Sequence, residues 1–436
     1  MARSADMTRR EFVRGAAATA FAAPYVVPSF APSARGAVRP APSGRITMAQ
    51  IGCGSMGNGD MRSFLGQDDV QVLAVCDPDR ERREAAQRTV EEHYAGQTAS
   101  GTYRGCDAYN DFREVLARDD IDAIVQSTPD HWHALIITGA ARAGKDIYGQ
   151  KPLSLTINQG RVMSDAVRRA GCVFQTGSQQ RSDTRFRFAC ELVRNGRIGK
   201  VHTVTCGLPT TPTCEMRPPL PVPEGFDYDR WLGPAPWAPY CEGRTHWNFR
   251  WILDYSGGQV TDWGAHHIDI AHWGLDLMYT GPVEVEGVGE FPPDGLWDAA
   301  TNYRFTCTYH TGVKIVVTNK FENGVKWEGP DGWVFVNRGR IDAHPKSLLE
   351  ETFGPGEVHL SRSPGHYRDF LDCVKSRGEP IAPIEQAHRT ITVAHLGNIA
   401  MLLGRRVRWN PGREQVINDA QAQRMTDRAM REPWRL

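Results

Sequence analysis

The segment Gly52-Cys53-Gly54-Ser55-Met56-Gly57 constrains this chain more than any other, because it follows the apolar run Ile46–Ile51 directly and opens a helical pattern. A strand, a G-x-G-x-x-G turn and a helix in that order belong to a parallel βαβ unit that holds a dinucleotide pyrophosphate. Gly52 permits the tight turn, Gly54 lets phosphate approach the backbone, and Gly57 allows the helix to pack closely. Ser55 and Met56 lie in the same turn, where free N–H groups of the helix N-terminus face the phosphates. A second apolar run, Val70–Cys76, ends at Asp77. That places an acid about 20 residues past the last glycine, where it accepts hydrogen bonds from the adenosine ribose and favours NAD. Arg80 just beyond can accommodate a 2′-phosphate, so both NAD and NADP stay open.

The alternation of strand and helix patterns continues through Ile121–Gln126, a helix to Gly144 and Asp146–Gly149. This predicts a doubly wound parallel sheet over residues 44–165. Ser127, Thr128, Pro129 and His133 follow one strand, and Gln150-Lys151-Pro152 follow another, so they sit where parallel strands present residues to the ligand crevice. From about residue 166 to 410 the pattern changes. Runs such as Tyr303–Tyr309 and Val313–Val317 alternate with period two, which predicts an α+β domain on a large, mainly antiparallel sheet with one open face. Helices over 363–405 are expected to pack back on the core, leaving 411–436 as a tail. Within this half, Asp262, His266 and Asp269 would share one face of a helix.

Composition removes several alternatives. Lys+Arg and Asp+Glu are both 51, so no net field exists to gather nucleic acid or anionic lipid. Ten cysteines without a C-x-x-C pair argue against structural zinc and a disulfide scaffold, and no metal is expected. No apolar run is long enough to span a membrane. At the N-terminus, Arg9-Arg10 precede Phe12-Val13 and an uncharged stretch from Gly15 to Phe30. Residues 1–43 therefore read as a twin-arginine signal peptide and linker, and the expected partner is the export machinery that delivers folded chains to the periplasm. A dinucleotide is not supplied in bulk there, so a tightly held, self-regenerating cofactor is expected.

The glycine turn, Asp77, Thr128-Pro129 with His133, Lys151-Pro152 and the Asp262-to-His266 spacing together resemble the glucose-fructose oxidoreductase, inositol dehydrogenase and MocA family over roughly residues 46–405. The family pattern is Glu-Lys-Pro, and Gln150 departs from it. The resemblance implies that Lys151 stands at the nicotinamide and substrate, that His266 is the acid/base, and that Asp262 orients His266 or binds substrate. It further implies substrate contacts from Gln180 and Arg181. His246 and Arg250, in a Trp-rich insert from Pro209 to Trp251, are added as substrate contacts, although packing of this insert onto the domain or a partner subunit reads equally well. His267, His272 and Trp273 read as structural. The expected activity is oxidation of a sugar, cyclitol or glycoside hydroxyl, with an NAD-dependent glycoside hydrolase as the alternative, in a homo-oligomer.

Overall fold

The computed structural model describes residues 44–436. The export-signal reading of residues 1–43 lies outside the described residues. Six strands, β1 (Ile46–Ile51), β2 (Val70–Cys76), β3 (Asp107–Tyr109), β4 (Ala123–Gln126), β5 (Asp146–Gly149) and β6 (Phe174–Thr176), form a sheet in the order β3-β2-β1-β4-β5-β6. Every pairing in it is parallel. Parallel strands need crossover helices on both faces, and the near-continuous burial of β4 and β5 fits that demand. The order reverses between β1 and β4, so the crevice outside their carboxyl ends is the place where such sheets bind ligands. The sheet extends past the expected limit at 165, because β6 pairs with β5.

Nine further strands follow: β7 (Thr203–Gly207), β8 (Glu284–Glu290), β9 (Asn302–Thr308), β10 (Lys314–Thr318), β11 (Gly324–Gly329), β12 (Gly332–Val336), β13 (Ile341–His344), β14 (Val407–Asn410) and β15 (Gln415–Val416). They form one sheet in the order β13-β12-β11-β7-β10-β9-β8-β14-β15, with β7 and β10 parallel and the other pairs antiparallel. One face of it is covered by helices Gly264–Leu275 and Ile384–Leu403, both buried along most of their length. Helix His366–Ser376 crosses to the other domain, where Phe370 and Leu371 join the core made by Met48, Phe64 and Val72. Residues 411–436 are more than a tail. β15 extends the second sheet, Arg431 bonds Asp229 and Gly233, and Trp434 packs edge-on against Trp132.

The core holds an unusual number of neutral histidines. Burial lowers His131, His267, His366 and His395 to about 4 and His272 to about 3, from an ordinary value of 6.5. Between those values the unfolded chain binds protons that the folded chain refuses, so stability falls as pH drops through this window. Asp60 and Asp77, raised by burial to about 6, act in the opposite sense but are fewer. The thermal unfolding midpoint should therefore be lower at pH 4.5 than at pH 7, by about 5 °C or more. A midpoint that is level or higher at pH 4.5 would contradict this balance.

Candidate active site

A cavity of about 1030 Å³ opens between the two domains along the carboxyl ends of β1, β2, β4 and β5. This exceeds the roughly 300–1,000 Å³ of an ordinary small-molecule site, leaving room for a dinucleotide and a second ligand. Its nucleotide half is built by the glycine turn. Gly52 has φ +92°, and a Cβ there would meet the Ser127 carbonyl oxygen at 2.5 Å. A Cβ on Gly57 would meet the Gly52 carbonyl oxygen at 1.9 Å, so this residue serves packing and lies behind the cavity wall. A Cβ on Gly54 would meet nothing closer than the Arg82 guanidinium at 3.9 Å, which leaves the backbone open to a phosphate. The cradle thus fits a dinucleotide, with Gly52, Gly54, Ser55, Met56, Asp77, Ser127, Thr128, Pro129, Gln150 and Lys151 all in the lining.

Asp77 is already engaged. Its carboxylate accepts hydrogen bonds from the backbone N–H groups of Cys53 at 2.7 Å and Asp79 at 2.9 Å, locking the turn before any ligand arrives. Arg80 is not where a 2′-phosphate would need it. It lies outside the lining, over Gly225, and faces Glu224 at 3.7 Å. Arg82, two residues past Arg80 on helix Arg80–His93, lines the cavity instead and pairs with Asp79. His133 is also displaced from the predicted role. It is fully buried, with Nδ1 3.1 Å from the Leu153 carbonyl oxygen and Nε2 2.9 Å from that of Thr128, and so it braces the loop after β4 from behind.

Gln150, the departure from the family pattern, has a physical partner. Its amide nitrogen donates to Asp60 Oδ2 at 2.8 Å, which also accepts from Ser127 Oγ, while Asp60 Oδ1 accepts from the Tyr367 hydroxyl. Burial raises Asp60 to about 6 despite these three donors. A glutamate at 150 would set a second buried carboxylate against the first.

The other half of the cavity gathers Lys151, Asp262, His266, Arg250 and Gln180. Lys151 Nζ donates to Asp262 Oδ1 at 2.6 Å, and Arg250 Nε donates to the same oxygen at 3.3 Å. Burial pushes Asp262 up, but the Lys151 and Arg250 charges outweigh it and the carboxyl lies below its ordinary value. Asp262 therefore holds the lysine and does not orient His266. Trp263, between helices Gln259–Asp262 and Gly264–Leu275, keeps right-handed helical dihedrals (φ −86°, ψ −27°), so Asp262 and His266 both face the cavity as the spacing predicts, but Lys151 and Arg250 take the carboxylate. Burial first, then Lys151 and Arg338, pushes His266 well below 6.5. Its Nδ1 is buried without a hydrogen-bond partner among the described residues.

Arg181 does not reach substrate. It is 3% exposed and forms a bidentate pair with Asp269 at 2.7 Å, over the Trp273 ring and beside Gln386. This pair also takes Asp269 away from the cavity. His246 lines the cavity but at its nucleotide end, against Phe226 and 3.8 Å from Asp79. The insert that carries it straps the first domain: Asp227 N donates to Pro78 O, Asn110 to the Asp227 carboxylate, and Trp132 Nε1 to Trp231 O. Sequence reasoning missed Arg338, Asp60, Tyr367 and Arg82. Arg338 sits in an Asn-Arg-Gly-Arg hairpin turn, where charge is ordinary, and nothing in the sequence aims it inward.

Comparisons with known proteins identify the family. A profile for the oxidoreductase family, NAD-binding Rossmann fold, matches residues 46–178, and one for its C-terminal alpha/beta domain matches residues 213–436. The chain belongs to the Gfo/Idh/MocA oxidoreductase family. A myo-inositol 2-dehydrogenase of Thermotoga maritima is 27% identical, over 81% of this chain and 92% of its own length. A glycosyl hydrolase family 109 protein of Shewanella pealeana is 27% identical, over 40% of this chain and 37% of its own. For several curated relatives the matched stretch is about half of their length or less, at 52%, 37% and 42% in three of them. A solved aldose-aldose oxidoreductase of Caulobacter crescentus superposes with a TM-score of 0.60 at 20% identity, over 84% of this chain and 99% of that one.

The Asp60 network yields a prediction. Gln150→Glu should lower unfolding free energy by about 1–3 kcal/mol in urea titrations at pH 8, because one carboxylate must stay protonated or unpaired. Adding Asp60→Asn should recover part of the loss. A Gln150→Glu protein as stable as the parent at pH 8 would remove the proposed donor and acceptor assignment.

Proposed function

We propose that this protein is an NAD(P)-dependent oxidoreductase acting on a CH–OH group of a sugar, cyclitol or glycoside. The observation that carries the reading is the convergence of Lys151, Asp262 and His266 in one cavity with the Gly54 cradle and Asp77. A nicotinamide held there would supply hydride acceptance and return. The residues of the chain handle the proton and the oxygen. Lys151, held by Asp262, presents an ammonium to the substrate hydroxyl, favours its ionised form and stabilises developing negative charge on oxygen. His266 stays neutral through burial and its cationic neighbours, so its ring is free to take the hydroxyl proton. The insert, bonded to Pro78, Asn110 and Trp132, holds the nucleotide end of the cavity against the second domain.

His266→Ala and Lys151→Met should each lower turnover by about 100-fold or more without changing the thermal midpoint in proportion. Near-normal turnover in both would end the catalytic assignment. The similarity to the glycosyl hydrolase family 109 protein supports a second reading, in which one glycoside is oxidised, undergoes elimination and is re-reduced. Release of an aglycone without change in nicotinamide absorbance would select it.

The reading extends to location. The Arg9-Arg10 segment supports export of a folded chain, and the strap over the nucleotide end supports a cofactor carried along with it. Protein purified without added cofactor should release close to one NAD(P) per chain on denaturation and cycle without net NADH accumulation. Empty protein that needs continuous soluble NAD, or cytoplasmic residence with Arg9-Arg10 intact, would refute this part.

A further inference from the structure

The substrate half of the cavity has more positive charge than its carboxylates neutralise. Lys151 and Arg250 both pair with Asp262, and Asp183 is taken by Arg185. Asp130 is buried and accepts from Ser256. Arg338 is the cation left over. It stands on the turn between β12 and β13, whose backbone is held by Asn337 Oδ1 accepting from Gly339 N and Arg340 N at 2.8 Å. Arg340, two residues on, pairs outward with Glu322 and Asp342. Arg338 turns the other way, into the cavity lining; it forms no ion pair among the described residues, and Asp262, already held by Lys151 and Arg250, acts on its charge only from beyond ion-pairing distance.

Its orientation is set by other contacts. The guanidinium lies over the Trp263 ring at 4.7 Å. With its amide turned to satisfy both neighbours, Gln180 accepts from Arg338 Nε at 3.3 Å and donates to the His266 carbonyl oxygen at 3.3 Å. A guanidinium stacked on one face and bonded through Nε keeps its two terminal nitrogens for a planar, bidentate acceptor. An oxidised nicotinamide ring would add a further positive charge to this end of the cavity.

We propose that the substrate bears a carboxylate, as a uronic or aldonic acid unit, and that Arg338 binds it. This rests on the oxidoreductase reading of the same site. The carboxylate pairs with the terminal nitrogens of Arg338 beside His266, while Lys151 stays free for the reacting hydroxyl. Burial is the main cause that depresses His266, and an anion there offsets part of the smaller contribution of its cationic neighbours, which makes the imidazole a better proton acceptor when substrate is bound.

The test uses cofactor-loaded full-length protein with methyl β-glucuronide, methyl β-glucoside and glucose 6-phosphate. Binding is followed by tryptophan fluorescence in the His266→Ala variant, so that affinity is read without turnover, and kcat/KM is measured in the parent. The glucuronide should bind at least about tenfold more tightly than the glucoside. Arg338→Gln should abolish that ratio, Arg338→Lys should keep part of it, and Arg340→Gln should leave it intact. Equal binding of glucuronide and glucoside, a ratio that survives Arg338→Gln, or a preference for the phosphate would overturn the proposal. Glucuronide binding that depends on Arg338 in a protein that takes up no NAD(P) would support the carboxylate site and sink the oxidoreductase reading, so the two failures are distinguishable.

Discussion

The ion pair between Lys151 and Asp262 is the contact on which the site depends. The lysine leaves the carboxyl end of β5 in the first domain, and the aspartate ends the short helix Gln259–Asp262 in the second. Their side chains are only 14% and 11% exposed, so each charge has given up most of its water. Removing either partner would strand the other in a poorly solvated position, a more damaging event than loss of a surface pair. The same bond sets the lysine at the mouth of the nucleotide cradle and ties it to the segment that leads into helix Gly264–Leu275, which carries His266. Arg250 strengthens the arrangement from the insert, with its guanidinium over Trp247 and Phe249.

Beneath this pair lies a second junction centred on a carboxylate. Asp60 collects hydrogen bonds from the loop after β4, the residue after β5 and helix His366–Ser376, which returns from the far end of the chain. It thereby couples the two strand ends that carry Thr128 and Lys151 to a helix that belongs by sequence to the second half. Gln150 is the complement to that carboxylate. The replacement of the family's acid by an amide is thus compensated locally and leaves the backbone at Lys151 in place.

The electrostatics of the cavity divide along its length. At the nucleotide end the cations are all paired with carboxylates: Arg82 with Asp79, and Arg230 with Asp111 and Asp227. At the other end they are not, and the surplus falls on a residue from a hairpin turn far along the chain. The neutral histidines of the core belong to the same design, since a buried imidazolium would add further positive charge to an interior that already holds several arginines.

Local signals in the chain determined the βαβ frame, the glycine turn with Asp77, and the strand-end place of Lys151, each of which depends on backbone conformation or strand-end position that spacing of a few residues encodes. The candidacy of His266 and the role of Lys151 come from the family resemblance. Asp262 was legible as a site residue but its partner was not, because Lys151 reaches it from 111 residues away in the chain. Arg181 reads as a substrate contact and Asp269 only as sharing a helix face with Asp262 and His266, yet the two neutralise each other in the core, since a buried charge must find a counter-charge and the nearest one is brought by another helix. His133 and Arg80 were misplaced for a similar reason: the carbonyls that surround the first, and the insert that covers the second, come from distant segments. Asp60, Arg82, Tyr367 and Arg338 had no signal at all. Their roles come from which segments the tertiary fold lays side by side, and long-range charge pairing is a property of that arrangement and not of any local run of residues.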